Sequence, residues 1–174
     1  MRLLTFEDSS KRSRIGALVD GDRVVDLNAA YALHLRDAEG DKDFARKAAT
    51  LVPSNMRALL EGGDPSLEAA RRGLEHALSL QSDVMGPDGE KVVHARVDVR
   101  WRAPIIPRKF FHTAGNFREH HEEAQKAGFS HPVMPWIVFF QNVDAIIGPD
   151  EPVIYPRRLT EELDYELELA VVLK

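Results

Sequence analysis

The sequence has 174 residues, of which 44% are hydrophobic and 29% charged, with a net charge of −5 and no cysteine. This composition is typical of a globular protein, and it excludes disulfides and thiolate metal sites. No block of Lys and Arg is present, so we expect no nucleic-acid partner. Without a signal-peptide pattern or the ~20 apolar residues of a membrane span, we expect a cytoplasmic protein with no membrane contact.

The first 96 residues predict a small α+β module. Asp20-Gly21-Asp22 separates two short apolar-rich runs, which is typical of a β-hairpin. Helices are predicted over 28–36, capped by Asn28, over 43–51, over 55–61, capped by Ser54 and ended by Gly62-Gly63, and from Asp64 onward. The module therefore consists of a hairpin backed by helices. Its histidines, His34, His76 and His94, are isolated in sequence and carry no chemical prediction.

Residues 97–174 predict the start of a second, β-rich domain. A strand is expected over 97–101, and prolines at 104 and 107 mark a boundary. A strand and a glycine turn then precede a polar helix over 117–126, ended by Gly128. An apolar strand over 137–140 follows, and then a strand, turn and strand over 143–155.

The most informative stretch is Asp164–Leu169, which alternates acidic and apolar residues as a strand does. This alternation puts Glu166 and Glu168 on one face, and the apolar run after them predicts burial. Carboxylates beside a buried strand must be protonated, paired or metal-bound, and aligned carboxylates suit Mg²⁺ or Mn²⁺. The alternative is a solvated acidic face on an edge strand. Because the sequence stops inside this predicted strand, we expect the domain to continue beyond Lys174.

A second group of candidates opens the polar helix. His120 and Glu123 are three residues apart, so they share a helix face, and a carboxylate beside an imidazole makes a general base. The alternative is a surface helix with assorted charges, and His121 is expected to be a solvated neighbour. Gln141 closes an apolar strand, where it either donates to a substrate oxygen or starts a turn.

Five segments, in order, resemble the fumarylacetoacetate hydrolase superfamily across residues 100–174. They are Pro104–Phe111, Ala114–His120, Phe139–Gln141, Ile147–Pro149 and Leu163–Leu169. The residues before Pro104 also resemble the N-terminal domain that many members carry.

The resemblance implies a mostly β catalytic domain that binds Mg²⁺ or Mn²⁺, with Ca²⁺ as another possibility. It assigns the metal to Glu166 and Glu168, catalysis to His120 with Glu123, and substrate binding to Asn116 and Gln141. Family substrates are small oxo-acids, often 1,3-dicarbonyl acids from the breakdown of aromatic compounds. Family members are commonly dimers, so a homodimer is expected.

Two departures from the family pattern affect the expected reaction. Many relatives have a lysine where this chain has Gln141, and a neutral amide is a weaker anchor for a carboxylate or oxyanion. The family's further acidic metal ligand lies downstream of Lys174.

The favoured function is C–C bond hydrolysis of an acylpyruvate-like acid by water that His120 and Glu123 activate. Decarboxylation, isomerisation or hydration of an oxo-acid is the first alternative. The others are a non-catalytic ligand-binding relative and a general metal-binding protein.

Overall fold

The computed structural model describes residues 1–80, 84–115, 117–128 and 137–173, apart from the side chain of His120. The chain divides into two compact units. The first comprises Met1–Ile105 with Ile147–Lys174, and the second comprises Ile106–Ile146. Helices and strands are both present, as expected for an α+β protein, whereas the predicted boundary between residues 96 and 97 stays a prediction.

The first unit is built on an antiparallel sheet of five strands in the order β4-β3-β2-β1-β5. The predicted hairpin is confirmed, because Val19 pairs with Arg23, and Asp20 and Gly21 adopt the positive φ angles of a tight turn. β1, which pairs with both β2 and β5, is an addition to the predicted elements. The strands are β1 Arg2–Glu7, β2 Ser13–Val19, β3 Arg23–Asp26, β4 Val93–Ala95 and β5 Arg100–Arg102.

Four helices separate β3 from β4, and all four lie close to their predicted positions. They are α1 Leu27–Asp37, α2 Phe44–Leu51, α3 Met56–Glu61 and α4 Gly63–Ser79. The predicted caps are wrong by one or two residues. Asp26, not Asn28, accepts a hydrogen bond from the Ala29 amide, because the chain is still extended at the end of β3. Asn55, not Ser54, caps α3 in the same way.

The helices pack on one face of the sheet and form its main core. Ile15 and Ala17 of β2 contribute to this core together with the buried faces of the helices, including Tyr31 and Leu59. α1 and α4 approach closely at Gly73, where an added Cβ would lie 2.7 Å from the Tyr31 backbone. A smaller cluster includes Leu4, Phe6, Val24 and Val99.

Later in the chain, a turn is fixed to β5 through Glu151. Its carboxylate accepts hydrogen bonds from Arg100 Nη2 at 3.0 Å, Arg102 Nη1 at 2.8 Å and the Gly148 amide at 2.7 Å. The Gly148 amide and the two arginines hold the pKa of Glu151 below its usual value, although desolvation partly opposes them. The turn at residues 149–150 agrees with the prediction.

The strands predicted on either side of this turn are not formed. Val143–Ala145 is a 3₁₀ helix, and residues 152–155 have no regular structure. The strand predicted over 97–101 is also displaced, since Arg96–Asp98 is a 3₁₀ helix and β5 begins only at Arg100.

The second unit contains β6 Phe110–Ala114, α5 Arg118–Lys126 and β7 Ile137–Gln141. β6 and β7 form a two-stranded antiparallel sheet, with Phe110 opposite Gln141. Gly128, with φ of +83°, follows α5, as predicted from the sequence. Among the described residues, no helix is long and apolar enough to cross a membrane.

The strand predicted over Asp164–Leu169 is wrong in this structure. Residues 162–173 belong to no strand, and Tyr165 and Leu167 are 91% and 98% exposed. The alternating pattern favours an extended chain, but a strand also needs a hydrogen-bonded neighbour. No segment in the described part of the chain pairs with these residues.

Candidate functional site

α5 carries the predicted His120 and Glu123. The helix spans both positions, so their three-residue spacing lies along one helix face, as predicted. Glu123 is exposed, while the side chain of His120 lies outside the described residues. The hydrogen bond between the two side chains therefore stays a prediction.

Other charged residues of α5 contact one another along the helix surface. Arg118 lies 3.7 Å from Glu119 and 3.8 Å from Glu122. His121 was expected to be solvated, but it is half-buried and its Nε2 lies 3.0 Å from the Gln125 amide nitrogen. Exposed ion pairs of this kind contribute only about 0–1 kcal/mol each, so they support the helix rather than define a site.

Gln141 is the last residue of β7, which confirms its predicted position at the end of a strand. Its side chain is exposed, and its cross-strand partner is Phe110. Cross-strand partners lie on the same face of a sheet, so Gln141 shares a face with Phe110, His112 and Phe139. The predicted substrate-binding Asn116 lies outside the described residues.

His112 is a candidate that sequence analysis did not single out. Its ring lies 4.6 Å from Phe110 and 5.4 Å from Phe139, measured between ring centroids. It is thus held between two aromatic rings on the face that carries Gln141. The available sequence signal was its two-residue spacing from Phe110, which places both residues on one face of a strand.

Glu166 and Glu168 are both exposed, two residues apart in a stretch without regular secondary structure. Paired carboxylate oxygens fit the preference of Mg²⁺, Mn²⁺ and Ca²⁺ for hard ligands. Within the described ranges, no group of three or more His, Asp or Glu residues is placed to hold a metal ion. These two residues would therefore form part of a ligand set.

The candidates are distributed over the two units of the chain. His120, Glu123 and Gln141 belong to the second unit, whereas Glu166 and Glu168 belong to the first. A single site formed from both groups stays a prediction.

Comparison with known families matches residues 109–174 to the fumarylacetoacetate (FAA) hydrolase C-terminal domain. This part of the chain belongs to the fumarylacetoacetate hydrolase superfamily. The resemblance seen in the sequence is thereby confirmed. All six predicted site residues lie within the matched range.

Individual relatives extend this similarity. The chain is 30% identical to the mitochondrial oxaloacetate tautomerase fahd2 of Xenopus laevis, over 99% of this chain and 44% of the relative. It is 31% identical to the human mitochondrial oxaloacetate tautomerase FAHD2A, over 70% of this chain and 33% of that protein. A Dictyostelium discoideum fumarylacetoacetate hydrolase domain-containing protein 2 homologue is 40% identical over 41% of this chain and 22% of the relative.

The chain spans less than half the length of each of these relatives. Two of their names specify oxaloacetate tautomerisation and a mitochondrial location, rather than C–C hydrolysis in aromatic catabolism. The predicted cytoplasmic location of this chain stays an expectation.

Proposed function

We propose that this chain is part of a metal-dependent enzyme that interconverts the keto and enol forms of a small 2-oxo acid such as oxaloacetate. The observation that carries this proposal is the alignment of almost the whole chain with an oxaloacetate tautomerase at 30% identity. Gln141 also favours it over hydrolysis, because a neutral amide replaces the lysine that many family members have. The reaction belongs to the isomerisations named above as alternatives.

The proposed metal site uses the carboxylates of Glu166 and Glu168, completed by further ligands. The bound cation would polarise the 2-oxo group and stabilise negative charge on its oxygen. Both carboxylates are exposed in the described structure.

The side chains of the second unit would orient the substrate and move its proton. Glu123 would accept a hydrogen bond from the His120 ring and raise the basicity of its other nitrogen. His120 would remove a proton from substrate C3, and a proton would be added to the C2 oxygen, so the atoms balance without water. Gln141 and Asn116 would donate hydrogen bonds to the substrate carboxylates.

Ketonisation of enol-oxaloacetate, followed in the intact protein by loss of its ultraviolet absorbance, tests the proposal. We expect Mg²⁺ or Mn²⁺ to stimulate the reaction, and Glu166→Ala or Glu168→Ala to abolish this stimulation. Glu162→Ala removes an exposed carboxylate from the same segment and serves as the matched control. Full metal-dependent activity in either site variant would remove the metal assignment.

The base is tested separately in the same assay. His120→Ala is expected to lower kcat by roughly 10²–10⁴-fold, the usual contribution of general acid–base catalysis. Glu119→Ala, on the same helix, should leave kcat nearly unchanged. Unchanged turnover in His120→Ala would exclude it as the base while leaving the metal assignment intact.

C–C hydrolysis of an acylpyruvate is the second candidate. It is favoured by the match of residues 109–174 to the FAA hydrolase domain and by the predicted His120–Glu123 pair, which could activate water. Release of pyruvate from an acylpyruvate, measured with a coupled dehydrogenase, separates the two reactions. Pyruvate release without enol ketonisation would favour hydrolysis over the proposed isomerisation.

A further inference from the structure

The face of the β6–β7 sheet that carries Gln141 also carries one titratable side chain, His112. The two strands have the sequences FFHTA and IVFFQ, so neither contains Lys, Arg, Asp or Glu. An imidazole can be protonated near neutral pH. His112 is therefore the one residue of β6 and β7 that can present a positive charge to an anionic ligand, and no carboxylate of these strands opposes it.

The strand register makes His112 and Gln141 neighbours. His112 is opposite Phe139, and Gln141 is opposite Phe110, so the two polar residues are diagonal partners on one face. The Cβ atoms of diagonal partners lie about 7–8 Å apart or slightly less, a distance that long side chains can bridge. A small ligand can therefore contact the imidazole of His112 and the amide of Gln141 at the same time.

Two phenylalanine rings restrict the orientation of His112. The ring centroids of Phe110 and Phe139 lie 4.6 Å and 5.4 Å from that of His112, and the plane of Phe139 is inclined by 21° to the imidazole. A side chain whose rotamers are already restricted loses little conformational entropy when it binds a ligand. His112 is half-buried and Gln141 is exposed, so an oriented polar ring lies beside an exposed amide.

We propose that His112 donates a hydrogen bond to the substrate carboxylate that is remote from the 2-oxo group. This inference rests on the proposed function and deepens it, because it specifies the substrate class as four-carbon 2-oxo dicarboxylic acids. Gln141 would donate to the same carboxylate as a neutral group, and protonated His112 would supply the balancing positive charge. A 2-oxo monocarboxylic acid lacks the remote carboxylate and would not gain this interaction.

Kinetics of the intact protein test this role with two compounds that differ by the remote carboxylate. Enol-oxaloacetate is the substrate, and pyruvate is the competitive inhibitor. His112→Gln should raise KM for enol-oxaloacetate by about 10- to 100-fold, the usual effect of losing a charged hydrogen bond. The variant should leave kcat and the inhibition constant of pyruvate nearly unchanged.

Two further variants control this measurement. His112→Lys retains a positive charge and should keep KM closer to the wild-type value than His112→Gln does. Thr113→Ala removes a polar side chain from the opposite face of β6 and should leave both constants unchanged. An unchanged KM in His112→Gln overturns the inference. An equal rise in KM and in the pyruvate constant also overturns it, because a purely structural role would weaken both ligands.

A direct binding measurement separates this inference from the proposed function. Succinate has two carboxylates and no 2-oxo group, so its binding requires neither turnover nor a metal ion. NMR titration of the wild-type protein with succinate should shift the ring protons of His112, which are assigned through their contacts with Phe110 and Phe139. The measurement uses the wild-type chain and therefore does not depend on the folding of a variant.

The two assays together identify which proposal fails. Shifts of His112 without ketonisation of enol-oxaloacetate would support carboxylate binding at His112 while removing the proposed isomerisation. An absence of shifts at His112, or shifts confined to other histidines, would overturn the inference even in an active enzyme.

Discussion

The first 105 residues bury their apolar side chains, whereas the residues from 106 to 173 largely expose theirs. Phe6, Ile15, Leu27 and Leu59 are all fully buried in the first region. In the described part of the second region, the only buried residue is Gly148. β7 is exposed along its whole length although it contains four consecutive apolar residues.

This difference shows that apolar sequence alone does not create a core. In the first region, helices cover one face of a five-stranded sheet and form the main core with it. The smaller cluster that includes Phe6 and Val24 buries side chains of the opposite face. The two-stranded sheet of the second unit has no comparable helical layer among the described residues. Two-stranded sheets are marginally stable alone, which makes the first region the main source of folding free energy.

The largest expected effect comes from removing a buried ring in the first region. Phe6→Ala removes a fully buried side chain and should lower the free energy of unfolding by about 3–5 kcal/mol. Phe140→Ala removes the same ring at a position that is 72% exposed, and should change it by less than about 1 kcal/mol. Urea unfolding followed by circular dichroism measures both. Equal losses would contradict the contrast between the regions.

An intermediate effect is expected where α1 and α4 are closest. Gly73→Ala raises helix propensity, but its Cβ would lie 2.7 Å from Tyr31 backbone atoms. We therefore expect a loss of roughly 1–3 kcal/mol in the free energy of unfolding, from overpacking. Glu75→Ala on the exposed side of α4 is the matched control and should be nearly neutral. A higher free energy of unfolding in Gly73→Ala would show that α1 and α4 can move apart slightly without loss of stability.

The smallest effect concerns pH and His94 in the first region. Burial against Phe6, partly offset by Asp26, lowers the pKa of His94 below its usual value of 6.5. Folding therefore favours the neutral His94 ring. The stabilisation from His94 is complete above pH 6.5, the pKa in the unfolded chain. It decreases as the pH falls towards the lower pKa of the folded protein.

Urea midpoints of the wild type and His94→Gln, compared between pH 7.5 and pH 5, measure this contribution. The wild type should lose more stability than the variant over this interval. An equal loss in both proteins would show that another group causes the acid sensitivity.

The sequence predicted the hairpin and all four helices of the first region because their signals are local. The turn signal at Asp20-Gly21-Asp22 is contained in three consecutive residues, and the signal for a short helix lies within Asn55 to Gly62. The cap of α1 is different, because Asp26 also forms a 2.6 Å ion pair with Arg14 on β2. That pairing depends on the register of the sheet, which Asn28 and its neighbours do not encode.

The candidate site was only partly accessible to sequence reasoning. The order of motifs identified the superfamily, and the end of β7 at Gln141 was correct. The strand predicted at Glu166 and Glu168 was wrong, because a strand forms only beside a hydrogen-bonded neighbour, whatever its own alternation of acidic and apolar residues. The place of His112 beside Gln141 arises from the pairing of β6 with β7, which local patterns do not encode.

The strand order carries a consequence for synthesis on the ribosome. β1 emerges well before β5, yet one of its two edges is covered only by β5 at residues 100–102. Until β5 has been synthesised, β1 has an unpaired edge at Thr5, Phe6 and Glu7. This edge can pair wrongly with other chains. Completion of the sheet must therefore wait until β5 has left the exit tunnel, even though α1 to α4 are already made.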